Sequence, residues 1–507
     1  MPAKKRERMS SVDVAWLRMD RPSNLMMICG VLVFGERVDF ARLRSTLIRR
    51  FLRFPRFRQR PVPTPGGYRW QTDAAFSLGH HLKKIALPRG AGDAELEALV
   101  SRLMSIPLDP AHPLWQFHLV ANYQGGSVLI LRIHHCYADG IALIQVLLSM
   151  TDADRDGRIP GFAPRQPMQK DDAADDPLSQ LLAPLAGLMK MVTQTGSTLI
   201  EKGVKLWQDP AKAIGLAAQG GALTSEIAKL VLMGEDSATP FKGKPGVVKR
   251  VAWADPIALD EVKTIGKALG CSVNDVLLSA VAGALRAYLV QRGEAVEGVM
   301  IRALVPVNLR PPEKAYRLGN RFGLVFLDLP IGIENPVERL YAVRANMEAL
   351  KGSFQPVIAL GILAAMGAGP QLLQEHLLAM LAKNATAVMT NVPGPQKPLF
   401  LARAQIDRLM FWVPQSGDIG MGVSIITYAG DVQFGLVTDS KLCPDPERVI
   451  ACFAPEFEKL VLVTLMARWP WEDAPSAQRL EQQVTATAAQ TRHSARPALA
   501  RGRSSGV

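Results

Sequence analysis

Hydrophobic and polar positions follow two different periods along the first part of the chain. The continuous apolar run MMICGVLVFG (26–35) is typical of a buried strand, whereas Phe40, Leu43, Leu47 and Phe51 recur at helical spacing. Strand-like and helix-like segments keep alternating after that. This alternation predicts an α/β fold.

Two segments predict β-hairpins. The segment 113–136 (PLWQFHLVANYQGGSVLILRIHHC) is split by Gln124-Gly125-Gly126, and 421–440 (MGVSIITYAGDVQFGLVTDS) is split by Ala429-Gly430-Asp431. Between them, 272–293 (SVNDVLLSAVAGALRAYLVQRG) has the length and composition of a long helix. The chain therefore contains two α/β regions in succession.

The composition changes between and after these regions. Residues 151–177 are rich in Asp, Pro, Arg and Gly, and 178–235 are rich in Leu, Ala and Met with scattered basic residues. Residues 178–235 are predicted to be helical. Their helices either lie in a membrane interface or pack as bridging helices on the main body of the protein. The predicted division is a basic segment 1–10, a first domain 11–150, a linker and helical region 151–245, a second domain 246–468, and a disordered tail 469–507.

Hydropathy and cysteine spacing argue against a membrane-spanning protein and against a metal site built on paired cysteines. The 507 residues carry a formal net charge of +13, and the longest uncharged apolar run, 356–370, is shorter than the roughly 20 residues that span a bilayer. The start of the chain has no apolar signal region. The five cysteines show no paired metal-type spacing, so we expect reduced thiols in a cytoplasmic protein.

The positive charge is concentrated in one segment. Residues 42–60 (RLRSTLIRRFLRFPRFRQR) contain eight arginines and no acidic residue. We expect no nucleic-acid partner, because no nucleic-acid module surrounds this segment. An anionic membrane surface, a polyphosphorylated cofactor and a solvated helix face all remain open.

The most informative local feature is a pair of histidines, His134 and His135, at the end of the second hairpin strand. Adjacent side chains of a strand point to opposite faces, so the two rings do not chelate one metal together, and no further Cys/His cluster supplies ligands. We expect no metal. One imidazole is expected to face a cleft, where a neutral ring could take a proton from a hydroxyl or amine.

The residues after the histidines leave alternatives open. Asp139 either orients an imidazole or holds the loop at the start of the helix that Gly140 opens, and the Asp-Gly turn favours the second role. Cys136 is a possible nucleophile beside the base, but its side chain is expected on the other face. No serine occupies a G-x-S-x-G nucleophile elbow.

HHCYADG (134–140) resembles the HHxxxDG motif of the CoA-dependent acyltransferase superfamily. Five further segments are similar to the bacterial bifunctional wax ester synthase/acyl-CoA:diacylglycerol acyltransferases, in one co-linear order between about Ser11 and Met466: HPLW (112–115), VNDVLLSAVAGALRAYL (273–289), VPVNLR (305–310), GNRFG (319–323) and TNVPGP (390–395).

This resemblance implies two chloramphenicol-acetyltransferase-like α/β sandwich domains joined by a helical linker, with an active-site channel between them. By position, His135 would be the general base, while His134 and Gly140 would shape its loop. Asp139 would be a structural brace with Arg310 as its salt-bridge partner. Asn274, Asp275, Asn391, Pro393 and Gly394 would be structural or channel residues. Helix capping also accounts for the Asn-Asp pair, because Ser272 and Asn274 are both good N-cap residues.

The implied reaction moves a long-chain acyl group from acyl-CoA to a fatty alcohol or a diacylglycerol, without an acyl-enzyme. Acyl-CoA would be a substrate, no cofactor is expected, and the protein would lie peripherally on the inner membrane or on lipid inclusions. The oxyanion donor stays open between Asn274, Ser424 and a backbone N–H. One departure puts the acceptor preference in doubt: PSNLMM (22–27) stands where the family commonly has Pro-Thr-Asn-Pro-Met-His.

Two other functions compete with this one. The first is a polyketide-associated or condensation-type acyltransferase with a carrier-protein donor, but no carrier or adenylation region accompanies the chain. The second is an inactive protein of this fold that coats lipid inclusions, and the intact histidine pair argues against it.

Overall fold

The computed structural model describes residues 7–65, 67–157, 233–310, 318–351, 353 and 355–466. Most of the predicted linker and helical region 151–245, and the whole predicted tail 469–507, lie outside the described residues. Those two predictions therefore stay predictions.

Sixteen strands are present in the described residues: β1 (Met27–Phe34), β2 (Gln59–Thr64), β3 (Gly67–Thr72), β4 (Leu82–Ile85), β5 (Trp115–Tyr123), β6 (Gly126–His134), β7 (Lys249–Trp253), β8 (Ile257–Ala258), β9 (Ile301–Asn308), β10 (Phe322–Leu329), β11 (Ala387–Pro393), β12 (Phe400–Leu401), β13 (Ala404–Gln405), β14 (Arg408–Trp412), β15 (Met421–Tyr428) and β16 (Asp431–Asp439).

Eleven α-helices lie in the same described parts of the chain: α1 (Ser11–Met19), α2 (Phe40–Thr46), α3 (Leu78–His81), α4 (Asp93–Met104), α5 (Gly140–Met150), α6 (Leu259–Leu269), α7 (Val273–Gln291), α8 (Pro336–Leu350), α9 (Gln355–Ala368), α10 (Gln371–Lys383) and α11 (Pro446–Met466). A π-helical turn, Leu47–Phe51, continues α2, and a 3-10 turn, Pro55–Arg58, follows it.

The first sheet has the strand order β14-β1-β6-β5-β4. All eight residues of β1 are buried, which explains why its sequence is apolar without alternation. The β5–β6 turn places Gln124 and Gly125 at positive φ (47° and 85°), the backbone that a two-residue hairpin turn needs. The predicted hairpin is confirmed.

The second sheet has the order β10-β9-β11-β15-β16-β7, with β8 also pairing with β16. Strand β11 runs parallel to both of its neighbours, and the other pairs are antiparallel. Ala429 and Gly430 have φ of 52° and 97°, so the β15–β16 connection repeats the turn geometry of the first hairpin. The mixed α/β class predicted from the sequence is confirmed.

Several contacts cross the predicted division at residues 151–245. Strand β14, from the second half of the chain, pairs with β1 as the edge of the first sheet. Two serines of the first half, one in helix α4 and one directly after it, bind strand β7. Ser105 Oγ accepts from Lys249 N at 2.9 Å, and Ser101 Oγ accepts from Val251 N at 2.9 Å. The exact domain boundaries stay predictions.

Helix α7 lies in the core of the second half. By length and composition it is the one helix among the described residues that could cross a membrane, but 72% of its apolar window is buried inside the protein. Its small and aliphatic side chains pack in the apolar cluster that also includes Leu327 and Phe434. Such burial is what a core helix of a large domain shows.

Candidate active site

The His134–Gly140 loop joins the end of β6 to the start of α5. Its first residues are fixed by backbone bonds to neighbouring segments: His134 N donates to Leu114 O at 2.9 Å, and His135 N donates to Met26 O at 2.7 Å. Tyr137 N then donates back to His134 O at 3.1 Å and closes a turn. The two rings are thus carried by backbone that is tied on several sides.

His135 is enclosed by aromatic rings. Its imidazole stacks on Trp16, with ring centroids 4.0 Å apart and planes 21° apart, and Phe322 lies at 5.6 Å. Nδ1 is fully buried and makes no hydrogen bond of standard geometry with the described residues. Burial lowers the pKa of His135 to about 4, although the Asp139 charge, its own carbonyl and the Asn320 side chain oppose this shift. The ring is therefore neutral near pH 7.

His134 has different surroundings. Its Nδ1 accepts a hydrogen bond from Cys136 N at 3.1 Å, so the ring proton lies on Nε2, which is 3.9 Å from an Asp20 carboxylate oxygen. Burial, and then the neighbouring His135, lower the pKa of His134 to about 3. One histidine thus bonds to the loop backbone while the other stacks against aromatic rings.

Asp139 holds the end of the loop with both carboxylate oxygens. Oδ1 caps α5 by accepting from Ala142 N at 2.9 Å. Oδ2 accepts from Arg310 Nη2 at 2.7 Å and from Arg321 N at 2.9 Å. These are the contacts of a structural brace, and they include the ion pair with Arg310 that the resemblance implied.

A segment directly before β10, in the second half of the chain, forms hydrogen bonds with the His134–Gly140 loop. Asp139 N donates to Gly319 O at 3.3 Å, and Gly319 N donates to Tyr137 O at 3.2 Å. Asn320 Nδ2 donates both to His135 O at 2.8 Å and to the buried Asp13 Oδ1 at 2.9 Å. The backbone of His135 is thereby linked to helix α1.

Four residues around His135 were not predicted from the sequence: Asp13, Trp16, Asn320 and Phe322. Asn320 and Phe322 lie in the GNRFG motif, which contributed to the family resemblance although no role was assigned to its residues. Trp16 is one of eight tryptophans, and no local pattern distinguishes it. Its position over His135 depends on how α1 packs.

The other predicted residues form a second network. Asp275 is buried and makes a reciprocal cap with Ser272, accepting from Ser272 N at 2.8 Å while Ser272 Oγ accepts from Asp275 N at 3.2 Å. The helix-capping interpretation therefore accounts for Asp275. Asn274 Oδ1 accepts from Asn391 Nδ2 at 2.8 Å, which links the Asn-Asp and NVPGP motifs.

The end of the NVPGP motif is packed tightly against β15. Pro393 is the last residue of β11, and Gly394 N donates to Thr427 Oγ1 at 3.1 Å. A Cβ at Gly394 would lie 2.1 Å from Thr427 O, so only glycine fits there.

The two further candidates, Cys136 and Ser424, are both buried. Cys136 is fully buried, and burial raises the pKa of its thiol well above the usual range, so the thiol is poorly suited to act as a nucleophile. Ser424 Oγ is buried and has no hydrogen-bond partner in the part of the chain that the structure describes. Within those residues, no group of three or more His, Cys, Asp or Glu side chains could hold a metal ion.

The arginine segment 42–60 is divided between structural and exposed roles. Arg50 pairs with Asp152 at 2.7 Å, and the Arg56 guanidinium lies 4.2 Å from the centre of the Trp70 ring. Five others are exposed, and they are Arg42, Arg44, Arg49, Arg53 and Arg58. Ile48 on the same segment is also 41% exposed.

Solved structures with the same architecture define the class of protein. A wax ester synthase/diacylglycerol acyltransferase from Marinobacter aquaeolei matches with a TM-score of 0.62 and 20% identity, covering 90% of this chain and 99% of that one. The starter condensation domain of rhizomide synthetase matches with a TM-score of 0.54 and 13% identity, covering 92% and 96%. The fold is thus that of the condensation-like CoA-dependent acyltransferases.

Sequence comparison identifies the family. The wax ester synthase/diacylglycerol acyltransferase catalytic domain matches residues 9–277, and the WS/DGAT C-terminal domain matches residues 318–461. A probable diacylglycerol O-acyltransferase of Mycobacterium tuberculosis is 27% identical over 469 residues, covering 90% of this chain and 96% of the relative. A second from the same species is 28% identical over 415 residues, covering 78% and 85%. The chain belongs to this family and is an acyltransferase.

Proposed function

We propose that this protein esterifies a long-chain alcohol or a diacylglycerol with the acyl group of acyl-CoA, using His135 as general base. The observation that carries the proposal is the buried imidazole of His135, kept neutral near pH 7 and stacked on Trp16 at the end of β6. The names of the relatives, diacylglycerol O-acyltransferase and wax ester synthase, support the choice of substrates.

The reaction needs one proton acceptor. Nδ1 of His135 is buried without a partner in the described residues, so we assign the ring proton to Nδ1 and the acceptance of the hydroxyl proton to Nε2. The hydroxyl oxygen attacks the thioester carbonyl, and the tetrahedral intermediate collapses to the ester as the carbon–sulfur bond breaks. The CoA thiolate leaves with the proton that His135 returns. No cofactor takes part, because the thioester is already activated and the enzyme mainly positions two substrates.

The Asp139 brace also affects this proton transfer. Its negative charge favours the protonated form of His135, so it stabilises the imidazolium that forms during attack. Arg310 holds the same carboxylate at 2.7 Å and places a positive charge beside it. The oxyanion donor stays a choice between Ser424, whose buried hydroxyl has no partner in the described residues, Asn274 and a backbone N–H.

The decisive experiment uses purified protein and radiolabelled hexadecanoyl-CoA, offered with either hexadecanol or a diacylglycerol. His135→Ala is compared with His80→Ala, a matched change at an exposed histidine. We expect ester from at least one acceptor, a loss of roughly 10²- to 10⁴-fold in His135→Ala and no comparable loss in His80→Ala. Absence of ester with both acceptors contradicts the function, and full turnover by His135→Ala contradicts the role of the base.

We further propose that the exposed arginines hold the protein on the cytoplasmic surface of the inner membrane or of lipid inclusions. A basic residue near an anionic surface contributes about 1 kcal/mol, and five arginines of this segment are exposed together with Ile48. This association needs no helix that crosses the bilayer.

A vesicle assay tests the surface. The variant Arg42→Ala/Arg49→Ala/Arg53→Ala is compared with Arg250→Ala/Lys263→Ala/Lys351→Ala, which removes the same charge from exposed positions elsewhere. Only the first variant should release the protein from phosphatidylglycerol vesicles, and added salt should have the same effect on the unaltered protein. If vesicle binding is unchanged but the KM for acyl-CoA rises, the segment binds CoA phosphates instead.

A further inference from the structure

Two neighbouring side chains of the candidate site each leave one buried atom unpaired. The atoms are His135 Nδ1 and Asn320 Oδ1, and neither makes a hydrogen bond of standard geometry with the described residues. The two residues are already in contact, because Asn320 Nδ2 donates to His135 O at 2.8 Å. A ring nitrogen can carry a proton and an amide oxygen only accepts one, so each atom supplies what the other lacks.

The orientation of the Asn320 amide follows from its other contacts. Nδ2 donates to His135 O and also to Asp13 Oδ1 at 2.9 Å. A backbone carbonyl only accepts, so the NH₂ end of the amide must lie on this side. Both of its hydrogens are then used, and Oδ1 is the atom left to face the ring of His135. The Asn320 side chain also opposes the fall in the pKa of His135 that burial causes, as an acceptor oxygen does.

Asp13 supports the amide from helix α1. It lies in the first turn of this helix, where Ser10 Oγ caps the end by accepting from Asp13 N at 3.1 Å. An acidic residue in a first turn stabilises a helix, but an exposed carboxylate would serve that purpose equally well. Asp13 is instead 4% exposed and bonded to Asn320. Its position therefore holds the amide as well as the helix.

We propose that Asn320, held by Asp13, is a positioning residue that keeps the ring proton of His135 on Nδ1. Nε2 then carries the lone pair that accepts the proton of the acceptor hydroxyl. The inference rests on the proposed function and adds to it the group that selects the tautomer of the base. Catalytic hydrogen bonds are often long in a free enzyme and tighten in the substrate complex. As the ring gains its second proton, Nδ1–H becomes a stronger donor, so the bond to Asn320 Oδ1 strengthens in the transition state.

The competing acceptor for this ring proton is the carbonyl oxygen of His135 itself. It also opposes the fall in the pKa of His135. The same oxygen already accepts from Asn320 Nδ2, and it remains in place whatever side chain stands at position 320. Changing Asn320 therefore separates the two acceptors.

Nuclear magnetic resonance of isotope-labelled histidine measures the tautomer directly, because the chemical shift of a ring nitrogen depends on whether it carries a proton. The signals of His135 are those lost in His135→Ala. Asn320→Leu removes the amide at nearly constant volume. Asn346→Leu is the matched control, since Asn346 Nδ2 also donates to a backbone carbonyl, that of Asp328, at 2.8 Å.

The unaltered protein and Asn346→Leu should show the proton of His135 on Nδ1, whereas Asn320→Leu should show it partly or wholly on Nε2. In Asn320→Leu, kcat should fall at least about tenfold, and by no more than the roughly 10²- to 10⁴-fold expected for loss of the base. KM should change little, because the base is misoriented while the substrates still bind.

An exchange variant gives the second measurement. Asp13→Asn/Asn320→Asp keeps a donor and an acceptor between the two positions and places a carboxylate beside His135 Nδ1. A carboxylate favours the protonated imidazole, so the Nδ1 tautomer should return and the acid limb of kcat/KM should move upward from about pH 4. A role of Asn320 in folding alone would not move the limb in this direction.

Circular dichroism establishes which variants fold, and either folded variant decides the question. An unchanged tautomer in Asn320→Leu, or an acid limb that does not rise in the exchange variant, overturns the proposal. If the unaltered protein makes no ester but the tautomer changes as expected, the proposed function fails and the positioning role stands. If it makes ester and the tautomer is the same in Asn320→Leu and Asn346→Leu, the positioning role fails alone.

Discussion

Asp139 and Arg310 form a buried ion pair, with 2.7 Å between carboxylate oxygen and guanidinium nitrogen, although 171 positions separate them in the chain. Both side chains are nearly inaccessible. The pair joins the loop that carries His135 to the second half of the protein. The position of the candidate base is therefore set by both halves together.

Removing Arg310 should destabilise the protein strongly. Arg310→Ala leaves the Asp139 carboxylate buried without its cation, and such losses cost about 3–5 kcal/mol in free energy of unfolding. Urea unfolding measures this, with Lys263→Ala at an exposed ion pair expected to change stability by less than about 1 kcal/mol. A change in Arg310→Ala as small as in the control contradicts the role of the brace.

The pH dependence of activity should report the low pKa of His135. A general base works only when it is unprotonated, so the acid limb of kcat/KM is expected near pH 4 rather than near 6.5. Rates are measured with saturating acceptor, and circular dichroism at each pH confirms that the protein is folded. An acid limb near 6.5 would show that the imidazole is solvated in the free enzyme.

Trp16 should control that pKa. Trp16→Ala removes the ring that stacks on His135 at 4.0 Å and admits water beside the imidazole, so the acid limb of kcat/KM should move upward toward 6.5. Trp16→Phe keeps an apolar ring and should leave the limb closer to 4. If the acid limb of Trp16→Ala stays at the pH of the unaltered protein, Trp16 does not exclude water from His135.

Stability should fall between neutral pH and pH 5. The folded-state pKa values of His134 and His135, about 3 and about 4, lie below the unfolded value near 6.5, so the unfolded chain binds more protons in this window. The stabilisation is complete above about pH 6.5 and is lost as the pH falls toward 4. At pH 5 the loss is about 2 kcal/mol per histidine. Urea midpoints at pH 7 and pH 5 measure it, and His134→Gln should reduce the difference.

Cys136 should be dispensable for catalysis. Its thiol is buried and its pKa is raised, so a thiolate is not available at neutral pH. Cys136→Ala is expected to keep more than about a tenth of the activity, with iodoacetamide having little effect on the unaltered protein. A loss in Cys136→Ala as large as in His135→Ala, with the fold preserved, would revive a covalent mechanism.

The sequence by itself determined the local structure and one end of the site. Apolar runs located β1 and β6, the Gly-containing turns located both hairpins, and Asp139 and Ser272 were recognisable as helix caps because capping acts within one turn. The position of the histidine pair at the end of a strand was also visible in the sequence. Arg310 was predicted only through the family resemblance, since no short-range rule links it to Asp139.

The tertiary structure decided what surrounds the base. The stacking of Trp16, the Asn320 link to Asp13 and the return of β14 to the first sheet all depend on residues far apart in the chain. Periodicity reports only which face of an element is buried, not which partner covers it. The burial that lowers the pKa of His135 arises from those partners, so it exists only once the chain has folded.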